Sequence, residues 1–240
     1  MAGLREDIAV RLPLLIKTAF LAMLLAMAAP PAARADVQAG IAAFLAGDRV
    51  AAWRELLPPA RKGDAVAQNY VGIMYAHGFG TDQDMTEAVY WYEQAAKQGF
   101  TDAQFNLGFL RFQNGNYAGA APLLAEAAMS GVGMAQYYLA RMYKEGIHFG
   151  HDDAVARSWV GRAAENGVAQ AQFDFALMLA QGQGGPVDIR EAYKWLAVTR
   201  AARYPGAEQN LAILAERMAP GDVQASQRAA ELWVAAHPAQ

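Results

Sequence analysis

Four apolar runs in this chain open the same way: a glycine, a few residues, then an Ala-Gln pair. The pairs are Ala67-Gln68, Ala103-Gln104, Ala135-Gln136 and Ala171-Gln172, preceded by Gly63, Gly99, Gly131 and Gly167 and separated by 36, 32 and 36 residues. At such a period one helix-turn-helix unit returns to its starting orientation and stacks on its neighbour. The pattern therefore predicts an all-α array of helix pairs. An array presents an extended surface rather than one closed pocket, which points to protein binding before catalysis.

The second helix of each unit carries a register of its own. Offsets of +3, +9, +13 and +16 from Tyr75 fall on Gly78, Asp84, Ala88 and Trp91; from Tyr143 they fall on Gly146, Asp152, Ala156 and Trp159; from Leu179 they fall on Gly182, Asp188, Ala192 and Trp195. The glycine suits a left-handed turn that ends the first helix, and the aspartate is placed to cap the second. Asp84 with Glu87, and Asp188 with Glu191, have capping-box spacing, so these carboxylate pairs are read as helix starts rather than as an acid and a base. The alanines let helices approach, and the tryptophans fill the gap to the next unit.

The run Tyr75-Ala-His-Gly78-Phe-Gly80, then Asp84, Glu87-Ala88, Trp91-Tyr92, Ala95-Ala96 and Gly99 resembles the Sel1-like repeat, a relative of the tetratricopeptide repeat. The unit from 135 follows the same plan with Ile147-His148-Phe149-Gly150 in its loop. The unit from 171 begins well but has Thr199-Arg200 where paired alanines belong, and the unit from 103 lacks both the tryptophan and the Gly-x-Gly loop. Its Asn114-Gly115-Asn116-Tyr117 looks like an ordinary tetratricopeptide turn. The resemblance implies an α-solenoid, a right-handed superhelix, with units at about 37–63, 64–99, 100–131, 132–167 and 168–203 and capping helices at 205–237. It also implies a partner protein or peptide held in the concave groove.

Composition narrows the setting. Hydrophobic residues make up 55% of the 240, enough for a folded core, and 20 basic against 23 acidic residues leave a net charge of −3. That balance gives no support to a nucleic-acid surface. Residues 1–35 read as an export signal, with Arg5, Arg11 and Lys17, an apolar stretch from Thr18 to Ala29, and Ala33-Arg34-Ala35 as the small-x-small cleavage site. The predicted cut after Ala35 removes four basic and two acidic side chains and leaves 16 against 21, a net of −5. With no cysteine, the exported chain has neither disulfides nor a lipid-bearing thiol, and a periplasmic or secreted protein without membrane insertion follows.

Candidate chemistry is sparse. The serines Ser130, Ser158 and Ser226 sit in no acylation motif. Some cysteine-rich members of the resembled family are linked to β-lactams, but this chain carries neither their cysteines nor a serine motif. His148 and His151, beside Asp152 and Asp153, fall in a loop and lack a third ligand at a metal-site spacing. No catalytic residue, metal or cofactor is therefore expected.

The positive signal lies on the first helices. Residues just after each Gln and one or two turns on are Asn69, Ile73, Phe105, Phe109, Phe112, Tyr137, Arg141, Lys144, Phe173, Leu177 and Gln181. Aromatic anchors beside Arg and Lys have the composition of a binding hot spot, although Phe105, Phe109 and Phe112 suit internal packing of the irregular unit equally well. The expected function is a periplasmic scaffold or regulator for a partner protein or peptide. The resemblance extends this to envelope sensor proteins, since exported members include regulators of membrane kinases. The alternative is a cell-wall-associated enzyme or accessory acting on peptidoglycan or β-lactams through a site such as Glu145, His148 and His151.

Overall fold

The computed structural model describes residues 31–237 and contains helices without strands among them. The expected leader falls almost wholly on residues 1–30, outside the described residues, and no described helix is long and apolar enough to cross a membrane. The helices are α1 (Pro31–Leu45), α2 (Arg49–Arg61), α3 (Ala65–His77), α4 (Met85–Lys97), α5 (Thr101–Gln113), α6 (Tyr117–Met129), α7 (Gly133–Glu145), α8 (Asp153–Glu165), α9 (Ala169–Gln181), α10 (Ile189–Ala201), α11 (Ala207–Ala215) and α12 (Pro220–Ala236). Successive helices pair, α1 with α2, α5 with α6, α7 with α8 and α9 with α10, while α11 and α12 each pack on α10. The chain is an all-α repeat solenoid, and its described residues divide into two compact units with the boundary between Trp91 and Tyr92.

Local chemistry explains why helices start and stop where they do. Asp48, Asp64, Asn116, Asp152 and Asp188 accept backbone N–H groups at the starts of α2, α3, α6, α8 and α10, at 2.8–3.0 Å. Asp84 does the same for α4, accepting from Thr86 at 2.8 Å and Glu87 at 3.2 Å. The reciprocal half of the expected capping box takes another route. Glu87 accepts the Trp91 indole N–H at 3.1 Å, and Glu191 takes Lys194 at 2.7 Å, while the Asp84 and Asp188 N–H groups that a capping box would use donate to the Tyr75 and Leu179 carbonyls at 3.0 and 2.9 Å. At the other helix ends Gly78, Gly146 and Gly182 adopt the left-handed conformation, at φ 69°, 66° and 71°.

The Ala-Gln pair has a structural task. Ala67, Ala135 and Ala171 are completely buried, and the neighbouring amides reach back to the second helix of the preceding repeat. Gln68 donates to the Ala60 carbonyl at 3.2 Å, Gln136 to Ala128 at 3.1 Å, and Gln172 to Ala164 at 3.2 Å. Each adds a second donor to a last-turn carbonyl that already accepts from the turn glycine, Gly63, Gly131 or Gly167, and so ties successive repeats together. In the irregular repeat Gln104 turns to the Glu126 carboxylate instead, at 2.6 Å.

In the first unit, Val37, Leu56, Val71, Met74 and Trp91 form the core, with Phe44, Trp53, Tyr70, Tyr75 and Phe79 around it. In the second, one cluster centres on Leu124, Leu139 and Met142, and another on Met178, Trp195 and Leu196. Trp159 and Tyr143 touch both clusters, so Trp159 bridges successive repeats as its position in the repeat suggests. At the C-terminal end Trp233 of α12 packs edge-on to Trp195 at 5.4 Å and covers the core of α10. The outward Glu216, Arg217, Gln224, Arg228 and Glu231 are exposed, but so is Leu232.

Candidate functional site

With Ala and Gln anchored, the rotation of each first helix is fixed, and equivalent residues line up across α5, α7 and α9 of the second unit. One row holds Phe105, Tyr137 and Phe173, all half-buried. The next residues, Asn106, Tyr138 and Asp174, make a second half-buried row, and one turn on come Phe109, Arg141 and Leu177. Lys144 and Gln181 are exposed near the helix ends.

Rings from neighbouring helices meet along this face. Phe105 stacks on Phe109 at 5.9 Å and 15°, and Phe109 lies 4.9 Å from Tyr138 of α7. The Arg141 guanidinium sits over Phe112 and Tyr138, at 5.5 and 5.8 Å, and pairs with Glu145 at 3.1 Å. Between α7 and α9 the contact is polar. The Tyr137 hydroxyl donates to Asp174 at 2.8 Å, Gln170 donates to the other carboxylate oxygen at 3.1 Å, and the Tyr204 hydroxyl donates to Gln170. The Tyr204 ring packs against Phe173 at 5.1 Å.

Burial, the hydrogen bond to Asp174 and that carboxylate's charge push the Tyr137 hydroxyl well above the ordinary tyrosine value, against a small opposing pull from Arg141. Tyr204 is raised too, by burial first and then by Asp174. Both hydroxyls stay protonated donors at neutral pH.

Two expected lining residues lie elsewhere. Phe112 is buried because Tyr117 and Tyr138 close over it, at 5.3 and 5.2 Å, so it belongs to the core of the α5–α6 repeat. Asn69 is also buried, on the packed side of α3, while Ile73 is half-buried; both belong to the first unit. Sequence reasoning passed over Tyr138, Gln170, Asp174 and Tyr204. The repeat register could have found Tyr138 and Asp174, which follow Tyr137 and Phe173 directly. Tyr204 lies in the connection after α10, where the repeat pattern has already lapsed.

The histidine loop is held by its own contacts. Nδ1 of His151 bonds the Lys144 carbonyl at 2.7 Å, and Nε2 faces Asp153 at 3.5 Å. Phe149 stacks on Tyr143 at 4.6 Å and turns its edge to His148. Glu145, the other member of the alternative catalytic set, is engaged by Arg141. Among the described residues no group of three or more His, Cys, Asp or Glu side chains is placed to hold a metal ion.

The register of alanines, glutamines, glycine turns and aspartate caps matches the Sel1 repeat model at residues 65–100, 101–129, 133–168 and 169–197. This chain belongs to the Sel1 repeat family. It is 30% identical over 172 residues to the exopolysaccharide production negative regulator of Rhizobium meliloti, covering 70% of this chain and 56% of that protein. A Sel1 repeat protein from Oxalobacter formigenes superposes with a TM-score of 0.64 at 33% identity, over 68% of this chain and 49% of the other. A protective antigen of uropathogenic Escherichia coli with an SLR fold superposes with a TM-score of 0.71 at 23% identity, over 82% and 45%, a likeness of fold alone. The chain thus spans about half the length of each of these relatives. Sel1 repeat proteins generally mediate protein–protein interaction.

Proposed function

We propose that this Sel1 repeat protein is a periplasmic scaffold or regulator that holds an extended segment of a partner protein along the first-helix face of its second unit. The observation that carries the proposal is the row of Phe105, Tyr137 and Phe173, three half-buried aromatic residues at equivalent positions on consecutive first helices. A half-buried aromatic row spaced by a repeat suits a partner that runs across the helices, with polar neighbours fixing its orientation. The rhizobial relative, a regulator by name, supports a regulatory role, and the leader-like N-terminus supports export. An envelope sensor protein is the partner class we propose on that basis.

Site-specific photocrosslinking tests the docking face. With benzoylphenylalanine at Phe105, cells are expected to yield a discrete crosslinked partner, whereas the same probe at the exposed Met129 of α6 yields none. Equal crosslinking from both positions would argue against a defined face. Export is checked separately by sequencing the N-terminus of protein recovered from the periplasm, where Asp36 is the expected first residue.

A further inference from the structure

We infer that Asp174, with the aromatic rings around it, receives a lysine or arginine side chain of the extended peptide held on this face. The inference rests on reading the face as a docking surface and adds the charge that the partner must carry. Asp174 is half-buried, and its two oxygens are met only by neutral donors, the Tyr137 hydroxyl at 2.8 Å and the Gln170 amide at 3.1 Å. Among the described residues no cation lies within ion-pairing distance of it. Arg141, the cation one turn along α7, is occupied by Glu145 and by the Phe112 and Tyr138 rings.

A half-buried carboxylate whose described partners are all neutral donors favours an incoming positive group. The surroundings suit one further. Tyr137 supplies a ring beside the carboxylate, and Phe173 and Tyr204 meet at 5.1 Å with Tyr204 tied into the same network through Gln170. Aromatic faces attract ammonium and guanidinium groups, and a carboxylate among them adds direct charge pairing. The raised Tyr137 hydroxyl stays neutral and keeps donating to Asp174, so the network does not lose its geometry across the physiological pH range.

Fluorescence anisotropy with labelled dodecapeptides of alternating Lys-Ser, Gln-Ser or Glu-Ser tests the inference on the purified chain. The Lys-Ser peptide is expected to bind about tenfold tighter than the Gln-Ser peptide, and Asp174→Asn to remove most of that advantage. Glu165→Gln, at an exposed position on α8, changes the net charge equally and is expected to leave affinity within about twofold, which separates a local site from general attraction to an acidic protein. Circular dichroism confirms that both variants keep the helical fold. Equal effects of the two substitutions would overturn the inference. So would equal binding of Lys-Ser and Gln-Ser peptides, but if Tyr137→Ser with Phe173→Ser abolished that binding, the docking face itself would stand. Failure of all three peptides overturns the inference, and the face is then judged by the Phe105 crosslink.

Discussion

The amide of Gln172 gives the Ala164 carbonyl a second donor beside the Gly167 N–H, and ties two repeats together. Replacing it with leucine keeps the bulk but removes that bond while the Gly167 donor remains, at a cost of about 0.5–1.5 kcal/mol in urea unfolding. Gln104→Leu should cost no more than that, since the exposed Glu126 it would strand can turn to water. A second contrast lies in the loops. Gly184 has φ 73°, and a Cβ there would run into the Asp153 carbonyl and the Arg157 side chain at the start of α8. Gly184→Ala is expected to lower stability by about 2–4 kcal/mol, through backbone strain and overpacking together. Gly150, with open space around it and no positive φ, should accept alanine within about 0.5 kcal/mol, as surface changes without such strain do. The repeat made Gln172 legible as a recurring type, while its partner emerged only from the folded chain. Phe112 shows the limit most sharply: it sits one turn from Phe109 on the same helix, and its burial is decided by Tyr117 and Tyr138 on other helices.

Helix boundaries were the most readable feature, because the groups that set them are local. Aspartates nine residues after the repeat's aromatic or leucine position cap α4, α8 and α10. Asp152→Ala should therefore destabilise α8 by about 0.5–2 kcal/mol, seen as faster amide exchange in its first turn. The signature would be local: exchange in α11 and α12 unchanged while the first turn of α8 opens. Side-chain routes were less readable, as Glu87 and Glu191 show. Capping-box spacing brought each carboxylate near its helix start, yet the N–H it would accept already bonds a carbonyl of the preceding helix, and the glutamates turn to a tryptophan N–H and a lysine. The link from Tyr137 to Asp174 was hidden for another reason, since the two residues stand 37 positions apart at positions that do not match in the repeat.

For the molecule as a whole, stability in a repeat array is a sum of repeat energies and neighbour interfaces, so an end with one neighbour depends heavily on its cap. Trp233 is the ring of α12 that covers Trp195, and Trp233→Ala should lower unfolding free energy by about 2–4 kcal/mol, since the ring is only half-buried. A chain cut after Arg203 should expose the α10 core and bind a hydrophobic dye. Function at this scale rests on a different interface, the first-helix face of α5, α7 and α9. The sequence pointed to this face through Phe105, Tyr137 and Phe173, while Asp174, Gln170 and Tyr204 complete it from outside the positions that the pattern singled out. The decisive measurement is affinity capture of envelope proteins by the wild-type chain beside a Phe105→Ser, Tyr137→Ser, Phe173→Ser variant of matched helicity. The account predicts a specific partner that the wild type retains and the triple variant loses by at least about tenfold, as expected for aromatic anchors at a hot spot. Retention of the same partner to the same extent by both would contradict it.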